Sequence, residues 1–202
     1  MMKRKYATIT DLLATYSSHV SGSYPSPRQF CENLDRILAG KRERFQGDGY
    51  ITALETNIVF LHDLIIEGEA ALDVLFDAKK SRPLNSSDIN ALLDEMEERV
   101  RGRCGQRRGE AFIEGGDGEF AELRELKRTD AAAYVEKLES TYRFLMVFKV
   151  LLFEFFNVMG PVMSRYPIAR TTEEARREVL NHIELTVNYY LGTIEVGDGG
   201  GT

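Results

Sequence analysis

"FLMVFKVLLFEFFNVMGPVM", residues 144–163, decides the fold. A run this apolar is either a membrane span or the centre of a helical core. Lys149 and Glu154 stand five apart in it, and Gly160-Pro161 interrupts its end. A span rarely carries both charges near its middle. The run is therefore read as the buried helix of a soluble bundle, and no membrane span is expected. Its aromatic residues, Phe144, Phe148, Phe153, Phe155 and Phe156, then belong to the core or to a subunit interface continuous with it. Lys149 and Glu154 must either find partners on other helices or lie on an outer stripe.

The pattern extends upstream. It runs as one helix from near Phe120, past Thr129-Asp130, to about Met159, where Gly160-Pro161 stops it. A second long apolar helix spans Tyr50 to about Lys79. Leu54, Ile58, Val59, Phe60, Leu61, Leu64, Ile65 and Ile66 cover most of its circumference, which places it centrally. Between these two, Ser86 or Ser87 caps a helix with Ile89, Leu92, Leu93, Met96 and Val100 on one face and "DEMEER" on the other. Before them, Ser26-Pro27-Arg28-Gln29 is a helix start with a capping box, followed by Phe30, Leu34, Ile37, Leu38 and Phe45. Thr171 and Glu174 form a second capping box. It opens a last helix carrying Ala175, Val179, Ile183, Val187 and Tyr190.

No strand pattern is convincing. The fold class is all-α: an elongated antiparallel helical bundle of four to five main helices, two of them about 30 residues long. Residues 1–26 read as a flexible N-terminal arm with a short helix near Ile9–Tyr16. Residues 27–192 read as the bundle domain, and 193–202 as a glycine-rich C-terminal tail. Inside the bundle domain, residues 102–118 read as a mobile loop, because Gly102, Gly105 and Gly109 each cost a helix about 1 kcal/mol relative to alanine. The three Gly-Asp-Gly triplets, at 47–49, 116–118 and 197–199, read as turns; they lack the further oxygen ligands of a calcium loop.

The 202 residues carry a net charge of −6, yet positive charge is locally dense. Arg99, Arg101, Arg103, Arg107 and Arg108 crowd one segment, and Lys3, Arg4 and Lys5 another. These eight are the candidate partner- or nucleic-acid-binding residues. Charge segregation of this kind supplies complementary patches for self-assembly. Arginine among glycines also follows phosphates and stacks on bases, although an acidic body opposes a nucleic-acid backbone.

Catalytic and metal constellations are missing from the pattern. His19, His62 and His182 lack the Glu-x-x-His spacing of di-metal bundles, and Cys31 and Cys104 form no C-x-x-C pair. No nucleophile elbow or phosphate loop occurs. Glu95 and Glu98 could share a divalent ion, but only scattered Glu136 and Glu139 are offered opposite them, so the acidic run reads as solvated surface. No cofactor is implied. The basic start "MMKRKYATITDLLATYSS" lacks the apolar run of a secretory signal, and two lone cysteines suit a cytoplasmic or other reducing compartment. The expectation is a non-enzymatic assembly or scaffold subunit. It is a homo-oligomer or part of a larger complex; the alternative is a nucleic-acid-binding accessory protein acting through residues 99–108.

Overall fold

Seven helices and no strand account for nearly all residues that the computed structural model describes, which are 8–23, 25–77, 84–106, 120–163 and 171–192. They are α1 (Ile9–Ser23), α2 (Pro27–Arg44), α3 (Asp48–Phe76), α4 (Ser86–Gln106), α5 (Ala121–Thr129), α6 (Ala131–Met163) and α7 (Thr172–Tyr190). The chain is all-α, with α3 and α6 as its two long helices, of 29 and 33 residues. At 1.5 Å per residue α6 is about 50 Å long.

Both expected capping boxes form. Ser26 Oγ accepts from the Gln29 amide while the Gln29 side chain accepts from the Ser26 amide, and Thr171 and Glu174 do the same. The start of α4 uses different chemistry from that expected. Asn85, not Ser86 or Ser87, is the cap: its side chain accepts from the Asp88 amide at 3.0 Å, and Asp88 accepts from the Asn85 amide at 2.9 Å. Thr8 and Asp11 pair in the same reciprocal way at the head of α1. Gly47 precedes α3 at φ +53°, a backbone conformation that side-chain-bearing residues rarely adopt; of the first Gly-Asp-Gly only this residue is a turn, since Asp48 and Gly49 open α3.

Four expectations about element boundaries are corrected. The helix expected through Thr129-Asp130 is broken there. Asp130 ends α5 and starts α6, its Oδ1 accepting from the amides of Ala132 and Ala133 at 3.0 Å each. Gly160-Pro161 does not stop α6, which runs on to Met163; Pro161 lacks the amide for one helical bond, and only Val162 and Met163 follow it in the helix. α4 does not dissolve at Gly102 but continues to Gln106. The residues read as an arm carry α1 from Ile9, with Ile9, Leu12, Leu13, Tyr16 and Val20 all buried. That stripe has helical spacing, which the Ser- and Gly-rich composition around it obscures.

The core centres on α3 and α6, which pack against each other along their lengths. Gly68 lies against Leu152, and Gly160 against Leu75 and Ile89, so the two long helices run in the same direction. Met96 also adjoins Gly68, so α4 runs back between them in the opposite direction. Glycine is required at both close approaches. A methyl at Gly68 would stand 2.5 Å from Leu152 Cδ2, and one at Gly160 2.8 Å from Ile89 Cδ1. α7 packs on α3 and α6, α2 on α7 and α3, and α1 on α6 and α7.

α6 is the one helix among the described residues long and apolar enough to cross a membrane; half of that apolar window is buried within the protein. Phe148, Phe155 and Phe156 are core residues, and Phe144 and Phe153 are partly buried against the core. Lys149 and Glu154 lie at the margin of the buried face. Lys149 Nζ sits 5.4 Å over the Phe153 ring, and Glu154 approaches His19 of α1 at 3.3 Å.

Candidate functional site

Three of the eight residues singled out from sequence are described: Arg99, Arg101 and Arg103, on the last two turns of α4. Arg107 and Arg108, with Lys3, Arg4 and Lys5, lie outside the described residues, as does the tail from 193. Arg99 pairs with Glu95 at 3.6 Å and Arg101 with Glu97 at 2.7 Å, each one helical turn back. Arg101 also sits 5.9 Å over the Phe60 ring of α3. Arg103 crosses to α3 and binds Glu67 through Nη1. All three described guanidiniums thus have carboxylate partners within the fold. Arg99 and Arg101 nevertheless keep 52% and 71% of their side chains exposed.

The reason is visible in α3. Its sequence, Asp48 to Phe76, contains Asp48, Glu55, Asp63, Glu67, Glu69 and Asp73 and not one lysine or arginine. Its neighbours bring the cations. Lys127 of α5 meets Glu55 at 2.9 Å, Arg103 of α4 meets Glu67, and Arg176 of α7 meets Asp73 at 3.2 Å. Glu55 also accepts from the Tyr134 hydroxyl; burial, and after it this carboxylate, pushes the phenol pKa far up. Charge complementarity here operates between helices of one chain.

A second polar centre was not legible in the sequence. Glu139 on α6, named in the sequence only as a scattered carboxylate, is buried, 6% exposed. It accepts from Arg42 Nε of α2 at 3.0 Å and from the Tyr50 hydroxyl of α3 at 2.8 Å. Burial alone would raise its pKa, but the bonds from Arg42 and Tyr50 outweigh burial and hold the carboxyl below the ordinary glutamate range. A buried carboxylate met by a guanidinium and a phenol ties three helices together. Nothing in the spacing of 42, 50 and 139 signals it.

The histidines take three separate positions. His19 faces Glu154 of α6. His62 stands 3.8 Å from its neighbour Asp63 and edge-on to Phe120 at 5.2 Å. His182 is half-buried between α1 and α7, its Nε2 2.6 Å from Ser17 Oγ and its ring edge-on to Tyr16. Burial lowers its pKa and favours the neutral imidazole. A serine-based nucleophile needs a third group to orient the imidazole and donors for an oxyanion. Ser17 and His182 instead form part of the α1–α7 seam, along with Thr10, whose hydroxyl donates to Glu178 at 3.3 Å.

Both cysteines are free thiols, half-buried at different seams. The Cys31 thiol donates to the Tyr190 carbonyl at 3.0 Å, and burial pushes its pKa up. Cys104 lies 3.9 Å from Asp63. Among the described residues no group of three or more His, Cys, Asp or Glu could hold a metal ion. An open depression on α7 is lined by Glu174, Arg177, Glu178 and Asn181, all polar. No protein-family model, no curated protein and no solved structure matches this chain.

One surface does stand out. Leu185 and Tyr189, one turn apart on α7, are 59% and 51% exposed, beside the exposed Glu184. Tyr189 lies edge-on to Tyr190, which in turn packs edge-on against Phe30 of α2.

Proposed function

We propose that this chain is a non-enzymatic helical assembly or scaffold subunit, an elongated bundle that self-associates or joins a larger complex. The observation that carries the reading is the exposed pair Leu185 and Tyr189 on α7. Single exposed apolar side chains need no explanation. A leucine and a tyrosine one turn apart, rimmed by polar residues, have the make-up of an interface core, in which aromatic side chains are enriched.

Charge supports the same reading. The exposed acids Asp94 and Glu98 lie on α4, whereas the last turns of α2 and α5 carry the exposed Arg44 and Arg128, beside Arg42 and Lys127, which are engaged with Glu139 and Glu55. Opposite patches on separate elements favour contact between copies and set its register more than its strength.

Light scattering against concentration, at low and high salt, tests the reading. Association at low salt that weakens as salt rises is expected. A monomer at low salt and high concentration overturns it.

A further inference from the structure

The last two turns of α2 turn a mixed face outward. Ile37, Lys41 and Arg44 stand at i, i+4 and i+7, so they share one side of the helix over about 10 Å of its length. Ile37 is 42% exposed, although Leu34 and Leu38 beside it are buried. Gly40 sits among the three, exposed, with nothing within 4 Å of where a side chain would begin.

The cations of this face differ from their neighbours. Arg28 meets Glu32, Arg42 meets Glu139 and Arg143 meets Asp35. Among the described residues neither Lys41 nor Arg44 pairs with a carboxylate: Lys41 Nζ stands 5.5 Å over the Tyr142 ring, and the Arg44 guanidinium 5.4 Å over the Phe45 ring. Glu43 lies two positions from Lys41 and one from Arg44, spacings that do not face each other on a helix. Burial, and after it the charge of Arg44, holds the Lys41 ammonium below the ordinary lysine range. The two cations therefore repel each other with no counter-charge from the described fold. The helix dipole favours cations at this end, but it calls for no exposed isoleucine beside them.

We infer that this face of α2 is a docking surface for an acidic amphipathic helix of a partner protein. An apolar side chain of that helix covers Ile37, its carboxylates meet Lys41 and Arg44, and its backbone comes close over Gly40. Charge complementarity argues for this occupant: carboxylates at helical spacing relieve two like charges one turn apart. The rings of Tyr142 and Phe45 already hold both cationic heads, which lowers the ordering needed on binding. A nucleic-acid backbone fits less well. A protein of net charge −6 repels a long polyanion, and Ile37 has no counterpart among phosphates. The inference goes beyond the α7 surface, since it concerns another face and another chain.

The test uses the full chain and a synthetic helical peptide of about four turns, with leucines in one stripe and glutamates along its edge. Fluorescence anisotropy of the labelled peptide at low salt should show saturable binding that weakens as salt rises. Lys41→Gln with Arg44→Gln should weaken it at least tenfold. Gly40→Glu should do the same, by placing bulk and negative charge where the fold leaves open space. Ile37→Ser should weaken it about fivefold. Arg36→Gln with Arg128→Gln removes the same charge from exposed positions off this face and should leave affinity within about twofold. Helix content and melting temperature should hold in all of these, since none of the replaced side chains belongs to the buried core. Absence of saturable binding by the full chain overturns the inference. So does an equal loss in the two glutamine pairs, because net charge alone then attracts the peptide. Tighter binding of a single-stranded oligonucleotide than of the peptide, lost on Lys41→Gln with Arg44→Gln, overturns it in favour of nucleic acid. Light scattering of the chain without peptide reports self-association separately, so the α7 contact stands or falls on its own.

Discussion

The described glycines inside helices divide into two kinds that their sequence context does not distinguish. Gly68 and Gly160 are where the long helices and α4 touch, and Leu152 and Ile89 fill the space a side chain would need. Gly102 is helical, exposed and has nothing within 4 Å of where a side chain would begin. Gly68→Ala should therefore destabilise by about 1–3 kcal/mol, because Leu152 is wholly buried and cannot swing aside. Gly102→Ala should stabilise by about 0.5–1 kcal/mol, from helix propensity alone. Urea unfolding of both variants checks the pair, and opposite signs are the expected result. Glu139 gives a pH counterpart. It keeps its charge to lower pH in the folded chain than in the unfolded one, so its contribution is fully present above the ordinary glutamate range and is lost as pH falls through its depressed folded value. Glu139→Gln should cost about 1–2 kcal/mol at neutral pH, since Tyr50 and Arg42 lose a charged acceptor. The same variant should flatten the acid side of the stability profile.

At the scale of elements, α4 and α1 are the instructive cases. α4 survives Gly102 because Glu95–Arg99, Glu97–Arg101 and the Arg103–Glu67 bridge hold its last turns, while Val100 is fully buried. Arg103→Ala should lower stability by about 1 kcal/mol, with Glu67 left only 16% exposed on its side chain and without that cation. Combined with Glu67→Gln the loss should be less than additive, which a double-mutant cycle reads directly. α1 is governed by His182. Its imidazole is neutral in the seam, and its folded pKa is lowered, so protonation as pH drops below the ordinary histidine range weakens the seating of α1. The His19–Glu154 contact, with His19 at 44% exposure, is worth at most about 1 kcal/mol and is screened by salt. Amide exchange at high salt should therefore show α1 losing protection on acidification before α3 and α6 do.

For the whole molecule, internal and external charges need separating. Three of the six carboxylates on α3, which has no lysine or arginine, pair with cations of α4, α5 and α7, so part of the chain's charge pattern serves contacts within one fold. What faces outward on α7 is Leu185 and Tyr189. Replacing both with lysine should leave the melting temperature within a few degrees, since neither is buried, and should reduce self-association by at least tenfold. Sedimentation of the double variant against the parent chain is the measurement. Unchanged association would move the interface away from α7.

The all-α class, the two long central helices, both capping boxes and the buried face of α7 were legible in the sequence. Each rests on chemistry within one or two turns: a stripe of apolar residues at helical spacing, or a side chain three positions from the amide it caps. The break at Asp130 is also local chemistry, a carboxylate capping the amides two and three positions on, whereas the continuation of α4 past Gly102 and the docking of α1 were decided by tertiary structure. In both of the latter, a local preference competes with a partner dozens of residues away. Glu67 and Phe60 hold the end of α4, and Leu151, Phe155 and His182 give the short stripe of α1 a place to be buried. The Glu139–Arg42–Tyr50 centre belongs to the same group, because a carboxylate looks alike on a solvated face and in a core until the fold supplies its donors.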